Sequence, residues 1–147
     1  MDGDERSVSL VRVGKGRYRA TNARGGTLEL GSGEDSDFTP VELLLTALAG
    51  CGAIDVDLIT SKRADPLTFE VLAAGDKIRD AQGNRMTGLR LDFRVEFAED
   101  EAGLRAEAVL RRSVRQSHDR LCTVSRTVQV GTPVSVAVRG EPLDPTG

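Results

Sequence analysis

The sequence is poor in the residue types on which several classes of function depend. It contains no tryptophan, one tyrosine and four phenylalanines in 147 residues, so few rings are present for stacking on nucleobases or sugars. The formal net charge of -3 and the isoelectric point near 5.2 argue against a general nucleic-acid-binding protein. His118 is the only histidine and has no recognisable partner at metal-ligand spacing, so no metal site is predicted.

Long apolar runs are also missing. The apolar stretch at residues 43–53 meets Asp55 and Asp57 before it reaches the ~18 residues of a membrane span. Residues 1–6 are charged and lack the apolar segment of a signal peptide, so we expect a cytoplasmic protein without a membrane partner. In that reducing compartment, two cysteines are more often reactive or inert thiols than a structural disulfide.

The length of the chain predicts one domain. A globular chain of 147 residues buries roughly 70% of the surface that its unfolded form exposes. No repeat and no linker divides the sequence. We therefore expect a single domain over residues 1–147, with loose tails at residues 1–6 and 141–147.

Hydrophobic periodicity and turn residues predict the order βββ-α-ββ-α-α-β, in which the third helix is short. The predicted strands are residues 7–13, 18–21, 27–30, 67–73, 89–97 and 132–138, with an exposed loop at 80–85. The predicted helices are residues 40–63, 102–121 and 122–129. In the second helix, Leu110, Val114, Ser117 and Leu121 lie at helical spacing along one side. This order indicates an α/β (α+β) fold.

The first helix has the clearest start signal in the chain. Thr39 and Glu42 form a capping-box pattern, and Pro40 stands at the first helical position. The apolar residues 43–49 cover most of the helix circumference, so we expect this helix to be buried. A homodimer that buries the helix between two subunits is one way to cover it.

The residues alone leave the role of each cysteine open. Cys51 lies in the middle of the first helix, where the helix dipole lowers a thiol pKa little, so a core residue and a reactive thiol are both compatible. Cys122 stands where a short helix is predicted to begin, and the free N–H groups there favour a thiolate. A packing residue at a helix end is the alternative for Cys122.

Two segments resemble the cysteine motifs of the OsmC/Ohr family. Residues 39–44 with 47–56, which include Ala-Gly-Cys-Gly-Ala-Ile-Asp-Val, are similar to the first motif and to the less characterised OsmC-like branch. Residues 121–127, Leu-Cys-Thr-Val-Ser-Arg-Thr, are similar to the second motif. The predicted order of strands and helices also resembles that family over roughly residues 8–138.

The resemblance implies a fold and an activity. The fold would be an intertwined homodimer whose antiparallel sheets wrap around two long central helices. The activity would be a thiol-dependent peroxidase that reduces organic hydroperoxides in defence against oxidative stress. Cys51 would be the peroxidatic cysteine and Cys122 the resolving cysteine, and an external dithiol, such as a lipoylated protein, would be the reductant. No bound cofactor is expected.

The family also uses an arginine from the N-terminal strands and a glutamate shortly before the first cysteine. Arg17, Arg19 and Arg24 are candidates for the arginine, and Arg17 is favoured because it follows the turn at residues 14–16. The glutamate position, ten residues before Cys51, is Val41 in this chain.

The departure at Val41 keeps other functions open. Glu42 is nine residues before Cys51, which places it on the opposite face of a helix, and the capping box already explains it. One alternative is a non-enzymatic OsmC-like dimer that binds an apolar small molecule at its interface, with redox-sensitive or structural cysteines. Another is a dimeric stress protein without a small ligand.

Overall fold

A computed structural model describes residues 3–143 of the chain as an α/β fold of antiparallel sheets and three α-helices. In chain order the strands are β1 (Val8–Gly14), β2 (Arg17–Asn22), β3 (Thr27–Leu30), β4 (Thr68–Asp80), β5 (Gly83–Glu96), β6 (Ala137–Val138) and β7 (Glu141–Pro142). The helices are α1 (Pro40–Thr60), α2 (Glu101–Gln116) and α3 (Thr123–Val130), and a π-helical turn (Ser117–Leu121) lies between α2 and α3.

The chain forms two compact units. Among the described residues, the first unit consists of residues 3–47 and 73–90, and the second consists of residues 48–72 and 91–143. Both α1 and the hairpin of β4 and β5 contribute residues to each unit. The expectation of a single domain over residues 1–147 therefore stays a prediction.

The first unit contains the predicted three-stranded meander. Strands β1, β2 and β3 pair in sequence order, with Val8 opposite Asn22 and Tyr18 opposite Leu30. Gly16 lies in the tight turn between β1 and β2 at a φ of 69°, a conformation that glycine adopts without steric cost. The loop at residues 31–37 follows β3 and contains no regular secondary structure.

The hairpin of β4 and β5 is longer than predicted. Both strands continue to a two-residue turn, Ala81–Gln82, where the sequence predicts a loop over residues 80–85. One Asp80 oxygen accepts a hydrogen bond of 2.9 Å from the Gln82 N–H, and the other accepts one of 2.7 Å from Arg85 Nε. These bonds close the turn, and the polar residues that indicated a loop are exposed strand residues.

Helix α1 begins with the predicted capping box. The Thr39 N–H donates to Glu42 Oε1 over 2.9 Å, and the Glu42 N–H donates to Thr39 Oγ1 over 3.2 Å. The hydrogen bond from the Thr39 backbone, and then that of its side chain, lower the pKa of Glu42 below its usual value of 4.5. The structural interpretation of Glu42 is thus confirmed. The helix ends at Thr60, three residues before the predicted end at Arg63.

The capping box makes the stability of the fold sensitive to acid. Because the folded-state pKa of Glu42 is lowered, its contribution is present above pH 4.5 and is lost as the pH falls through the folded-state pKa. We therefore expect Glu42→Ala to lower the melting temperature at neutral pH, and this difference from wild type to shrink in acid. Glu42→Gln, which keeps a hydrogen-bond acceptor, should lower the melting temperature by less than Glu42→Ala does. An equal difference at every pH would contradict this account of Glu42.

The second unit buries a narrow stripe of α1. Its buried residues are Leu48, Gly52, Val56 and Thr60, spaced four apart along one face. A Cβ atom at Gly52 would lie 3.1 Å from Phe93 Cζ, so the ring of Phe93 packs directly on the α1 backbone. The predicted burial around the whole helix is wrong for a single chain, because Ile54 and Leu58 are each 63% exposed.

Helix α2 also packs in the second unit through small residues. Asp100 caps the helix by accepting a 2.8 Å hydrogen bond from the Gly103 N–H. The buried side of the helix is formed by Gly103, Ala106, Val109 and Ser113. Of the predicted stripe, Ser117 is buried, Leu110 and Val114 are half-buried, and Leu121 is 45% exposed.

The C-terminal segment differs most from its prediction. Only Ala137–Val138 of the predicted strand 132–138 is a strand, and it pairs with Glu141–Pro142. Pro133 has no backbone N–H to donate to a neighbouring strand. Part of the predicted loose tail is therefore a short paired strand, whereas residues 1–2 and 144–147 lie outside the described residues.

Within the described residues, α1 is the only helix long and apolar enough to cross a membrane by length and composition. Asp55 and Asp57 interrupt the apolar run as the sequence indicates, although the helix continues through them to a length of 21 residues. The same length and composition are found in core helices of soluble proteins. Asp55 also hydrogen-bonds Ser117 after α2, so this part of α1 is packed against protein.

Candidate functional site

The second unit brings the two cysteines together. Cys51 on α1 and Cys122 at the start of α3 lie with Asp55 so that both sulfurs and a carboxylate oxygen are within 4.8 Å of one another. We call these three residues the thiol cluster. Neither cysteine is in a disulfide. The predicted proximity of the two thiols is therefore present in the fold.

Helix α1 places Cys51 and Asp55 on one face. They are four residues apart, and residues at this spacing are neighbours on a helix surface. Asp55 Oδ2 accepts a 2.8 Å hydrogen bond from Ser117 Oγ, the first residue of the π-helical turn. This bond fixes the carboxylate beside the thiols instead of leaving it in solvent.

The π-helical turn places Cys122. The Cys122 N–H donates to the Ser117 carbonyl over 2.8 Å, a bond that spans five residues instead of the four of an α-helix. Cys122 then caps α3, because its sulfur accepts a 3.3 Å hydrogen bond from the Ser125 N–H. The prediction that Cys122 begins a short helix is confirmed.

Burial nevertheless has the largest effect on the pKa of the Cys122 thiol, and it raises this pKa. The residue is 1% exposed, and desolvation is the largest of the causes that raise the pKa of its thiol from 9.0 to about 11. The neighbouring Cys51 thiol and the Asp55 carboxylate act in the same direction, and the Ser125 N–H only partly opposes them. Of the two alternatives left open for Cys122, a buried packing residue at a helix end fits the reduced protein better than a thiolate.

We expect the two thiols to react in a fixed order with an alkylating agent. Cys51 is half-buried, whereas Cys122 is almost inaccessible and its thiolate fraction stays small until the pH approaches 11. Iodoacetamide at about pH 8 should label Cys51 first. Mass spectrometry of peptides should find Cys122 labelled only in urea or near pH 11. Equal labelling of both cysteines in the folded protein would contradict this order.

Asp55 is the member of the cluster that sequence reasoning missed. The sequence predicts a solvated or locally paired charge, because Asp55 and Asp57 do not face each other on a helix. Asp57 is indeed exposed, but Asp55 is hydrogen-bonded to Ser117 and lies within 4.8 Å of both sulfurs. The available signal was its spacing of four residues from Cys51 on the same helix.

Arg17, the favoured candidate for the family arginine, belongs to the first unit. Its guanidinium forms ion pairs with Asp35 and with Asp37 of the loop after β3, the second at 2.5 Å. A role for Arg17 at Cys51 thus stays a prediction. Arg19 Nε pairs with Glu29 Oε1 at 2.6 Å, and Arg24 lies in the turn after β2.

Sequence comparison identifies known proteins that are similar to this chain. A family model described as OsmC-like protein matches residues 33–137. An uncharacterised protein of Mycobacterium tuberculosis (strain ATCC 25618 / H37Rv) is 31% identical over 132 residues, covering 88% of this chain and 93% of that protein. An uncharacterised protein of Mycobacterium bovis matches to the same extent.

Solved structures share the fold at low sequence identity. A hypothetical protein from Aquifex aeolicus VF5 has a TM-score of 0.71 at 18% identity, over 88% of this chain and 91% of that chain. An OsmC-like protein of unknown function from Vibrio cholerae has a TM-score of 0.67 at 14% identity, over 86% and 95%. The organic hydroperoxide resistance protein OhrB of Bacillus subtilis has a TM-score of 0.58 at 15% identity, over 87% and 93%.

The match to the family model includes both cysteines and most of the chain. Solved structures described as OsmC-like and as organic hydroperoxide resistance proteins share the fold, which confirms the resemblance found in the two motifs. The chain therefore belongs to the OsmC-like protein family.

Proposed function

We propose that the protein is a thiol-dependent peroxidase that reduces organic hydroperoxides through Cys51 and Cys122. The observation that carries the proposal is the thiol cluster, in which two reduced cysteines from distant parts of the sequence lie within 4.8 Å. A structural neighbour of the same fold is described as an organic hydroperoxide resistance protein. Together these findings support a role in resistance to peroxide.

The proposed cycle begins at Cys51, the more accessible thiol. Its thiolate attacks the terminal oxygen of the hydroperoxide, the O–O bond breaks, and the alcohol leaves after taking up a proton. Cys51 becomes a sulfenic acid. Cys122 then attacks the Cys51 sulfur, forms a disulfide and releases water, so that one hydroperoxide is reduced for two thiols oxidised.

The environment of Cys122 fits the resolving role. A buried thiol with a pKa raised to about 11 is a poor first nucleophile, so it does not compete with Cys51 for the peroxide. It lies within reach of Cys51 once the sulfenic acid has formed. Condensation at that point prevents further oxidation of Cys51 to the sulfinic acid.

An external dithiol of the lipoyl type completes the proposed cycle by thiol–disulfide exchange, so no bound cofactor is needed. We place the reaction in the cytoplasm, where thiols are kept reduced. Arg17 remains our candidate for the cation that stabilises the Cys51 thiolate. In that role its guanidinium would balance the negative charge of the sulfur as well as that of Asp35 and Asp37.

We further propose that the working unit is a homodimer. Each unit of the single chain leaves apolar side chains at least 54% exposed: Val8, Leu10 and Val11 in the first, and Ile54, Leu58, Val134, Val136 and Val138 in the second. Covering them with a second copy removes this apolar surface from water. The mass in solution at micromolar concentration should be twice 15.7 kDa. A stable folded monomer would contradict the proposal.

The decisive measurement is peroxide consumption by the purified protein. With dihydrolipoamide as the electron donor, we expect catalytic loss of cumene hydroperoxide and little loss of hydrogen peroxide. Without the donor, one equivalent of hydroperoxide should convert both thiols into an intramolecular disulfide. Two unchanged thiols after exposure to the hydroperoxide would contradict the peroxidase function.

That negative result would favour the alternative function, binding of an apolar small molecule. An open groove of about 370 Å³ lies along α1 in the second unit, lined by Ala53, Ile54, Asp57, Asp65, Pro66 and Phe69. Its lining includes the exposed side chain of Ile54. In this case an apolar fluorescent probe should bind with the same affinity to wild type and to Cys51→Ser.

A further inference from the structure

We propose that the reduced thiol cluster binds one zinc ion through the sulfurs of Cys51 and Cys122 and an oxygen of Asp55. These three donor atoms lie within 4.8 Å of one another. Zn²⁺ accepts thiolate and carboxylate ligands together, whereas Mg²⁺ and Ca²⁺ require oxygen ligands. The binding of zinc does not rest on the proposed peroxidase function.

The separations in the cluster suit a tetrahedral ion after a small closure. With Zn–S distances of about 2.3 Å and Zn–O distances of about 2.0–2.2 Å, the donor atoms of such a site are roughly 3.5–3.8 Å apart. The present separations of at most 4.8 Å therefore need to shorten by no more than about 1.3 Å.

Hydrogen bonds behind the cluster hold two of the three ligands. The Ser117 hydroxyl donates to Asp55 Oδ2 over 2.8 Å, which sets the orientation of the carboxylate. The Ser125 N–H donates to the Cys122 sulfur over 3.3 Å, and this bond stabilises the thiolate that a metal requires. Such contacts to ligands are a regular feature of protein metal sites.

The elements that carry the ligands also limit the entropy lost on binding. Cys51 and Asp55 are already neighbours on α1, and Cys122 is fixed between the π-helical turn and α3. Three protein ligands leave a fourth position for water, which is the arrangement of an exchangeable zinc site. A closed structural site would need a fourth protein ligand.

Zinc and the disulfide exclude each other, since both use the two sulfurs. Formation of the disulfide therefore releases the ion, and bound zinc shields Cys51 from oxidation. This consequence, unlike the binding itself, rests on the proposed function. Zinc would then act as a reversible inhibitor of peroxide reduction.

Cobalt(II) provides a spectroscopic probe of the site. Reduced, chelator-treated protein titrated with Co²⁺ should develop a sulfur-to-cobalt charge-transfer band and the visible bands of a tetrahedral ion, saturating at one ion per chain. Addition of Zn²⁺ should remove these bands. Protein oxidised with diamide to the disulfide should show neither. Absence of tetrahedral bands in the reduced protein would overturn the proposal.

Single substitutions distinguish the contribution of each ligand to Zn²⁺ affinity from a general effect of negative charge. A chelator competition assay should find that Cys51→Ser and Cys122→Ser each weaken Zn²⁺ binding at least about a hundredfold, and Asp55→Asn at least about tenfold. Asp55→Asn keeps the acceptor for Ser117, so the fold is retained. Asp57→Asn is the matched control, because Asp57 is exposed on the same helix, and it should leave the affinity unchanged. Equal affinities for Asp55→Asn and Asp57→Asn would overturn the role of Asp55.

The inhibition is tested separately from the binding. In a single turnover without added dithiol, hydroperoxide consumption by wild type should fall as the site fills with Zn²⁺, and Asp55→Asn should require at least about tenfold more zinc for the same inhibition. Cobalt binding without any peroxidase activity would support the metal site while contradicting the proposed function. Peroxidase activity that saturating Zn²⁺ leaves unchanged would overturn zinc binding at the two sulfurs.

Discussion

Replacement of Cys51 by serine should reduce hydroperoxide consumption to the uncatalysed rate, a loss of at least about a hundredfold. A serine hydroxyl is not ionised at neutral pH and does not attack an O–O bond, so no sulfenic acid forms. Consumption of cumene hydroperoxide in the presence of dihydrolipoamide measures this loss. The retention of wild-type activity by Cys51→Ser would show that another group attacks the peroxide.

Cys122→Ser is the matched control, because the first step should survive in it. Without a dithiol, this variant should consume hydroperoxide and gain one oxygen at Cys51, then a second as the sulfenic acid oxidises further. Wild type should instead lose two hydrogens as the disulfide forms. Mass spectrometry distinguishes these products, and a Cys122→Ser protein that never gains oxygen would contradict the assignment of Cys51 as the first nucleophile.

Gly103→Ala should be among the most destabilising substitutions in the chain. A Cβ atom at this position would overlap the Ala98 carbonyl oxygen and lie 2.8 Å from the Ala98 carbonyl carbon. The obstacle is backbone, so it does not rotate away as a flexible side chain would. We expect the free energy of unfolding to fall by roughly 3 kcal/mol or more, and the melting temperature by about 10 °C.

The sign of this effect opposes helix propensity. Alanine is more favourable than glycine by about 1 kcal/mol in a helix interior, so propensity alone predicts stabilisation of α2. The free-energy cost of the clash with Ala98 should exceed this gain in helix propensity. Gly14→Ala is a control for general loss of glycine, because its Cβ would lie 3.9 Å from Arg17, an ordinary contact. Thermal melts of both variants test the argument, and equal melting temperatures would contradict it.

Features that depend on neighbouring residues could be predicted from the sequence. The capping box at Thr39 and Glu42 and the start of α3 at Cys122 follow from local hydrogen bonds, and both are present. The meander of β1 to β3 follows from alternation and turn residues. The strands of the second hairpin were predicted too short, because an exposed strand and a polar loop have similar composition.

Features that depend on residues distant in the chain could not be predicted from local sequence patterns. The place of Asp55 is decided by Ser117, 62 residues later in the chain, and no local pattern indicates that bond. The proximity of Cys51 and Cys122 was expected only through the family resemblance. The sequence left the acidity of Cys122 open, because the helix start that lowers a thiol pKa is visible in the sequence and the burial that raises it is not.

The π-helical turn at Ser117–Leu121 also sets the angle about the helix axis at which Cys122 and α3 follow α2. One residue advances an α-helix by about 100° and 1.5 Å, so the extra residue in the turn rotates Cys122 by that amount relative to α2. Deleting one residue from this turn would leave the composition of the thiol cluster intact and aim the Cys122 sulfur away from Cys51. The length of this five-residue segment is therefore as strict a requirement for the cluster as the identity of its cysteines.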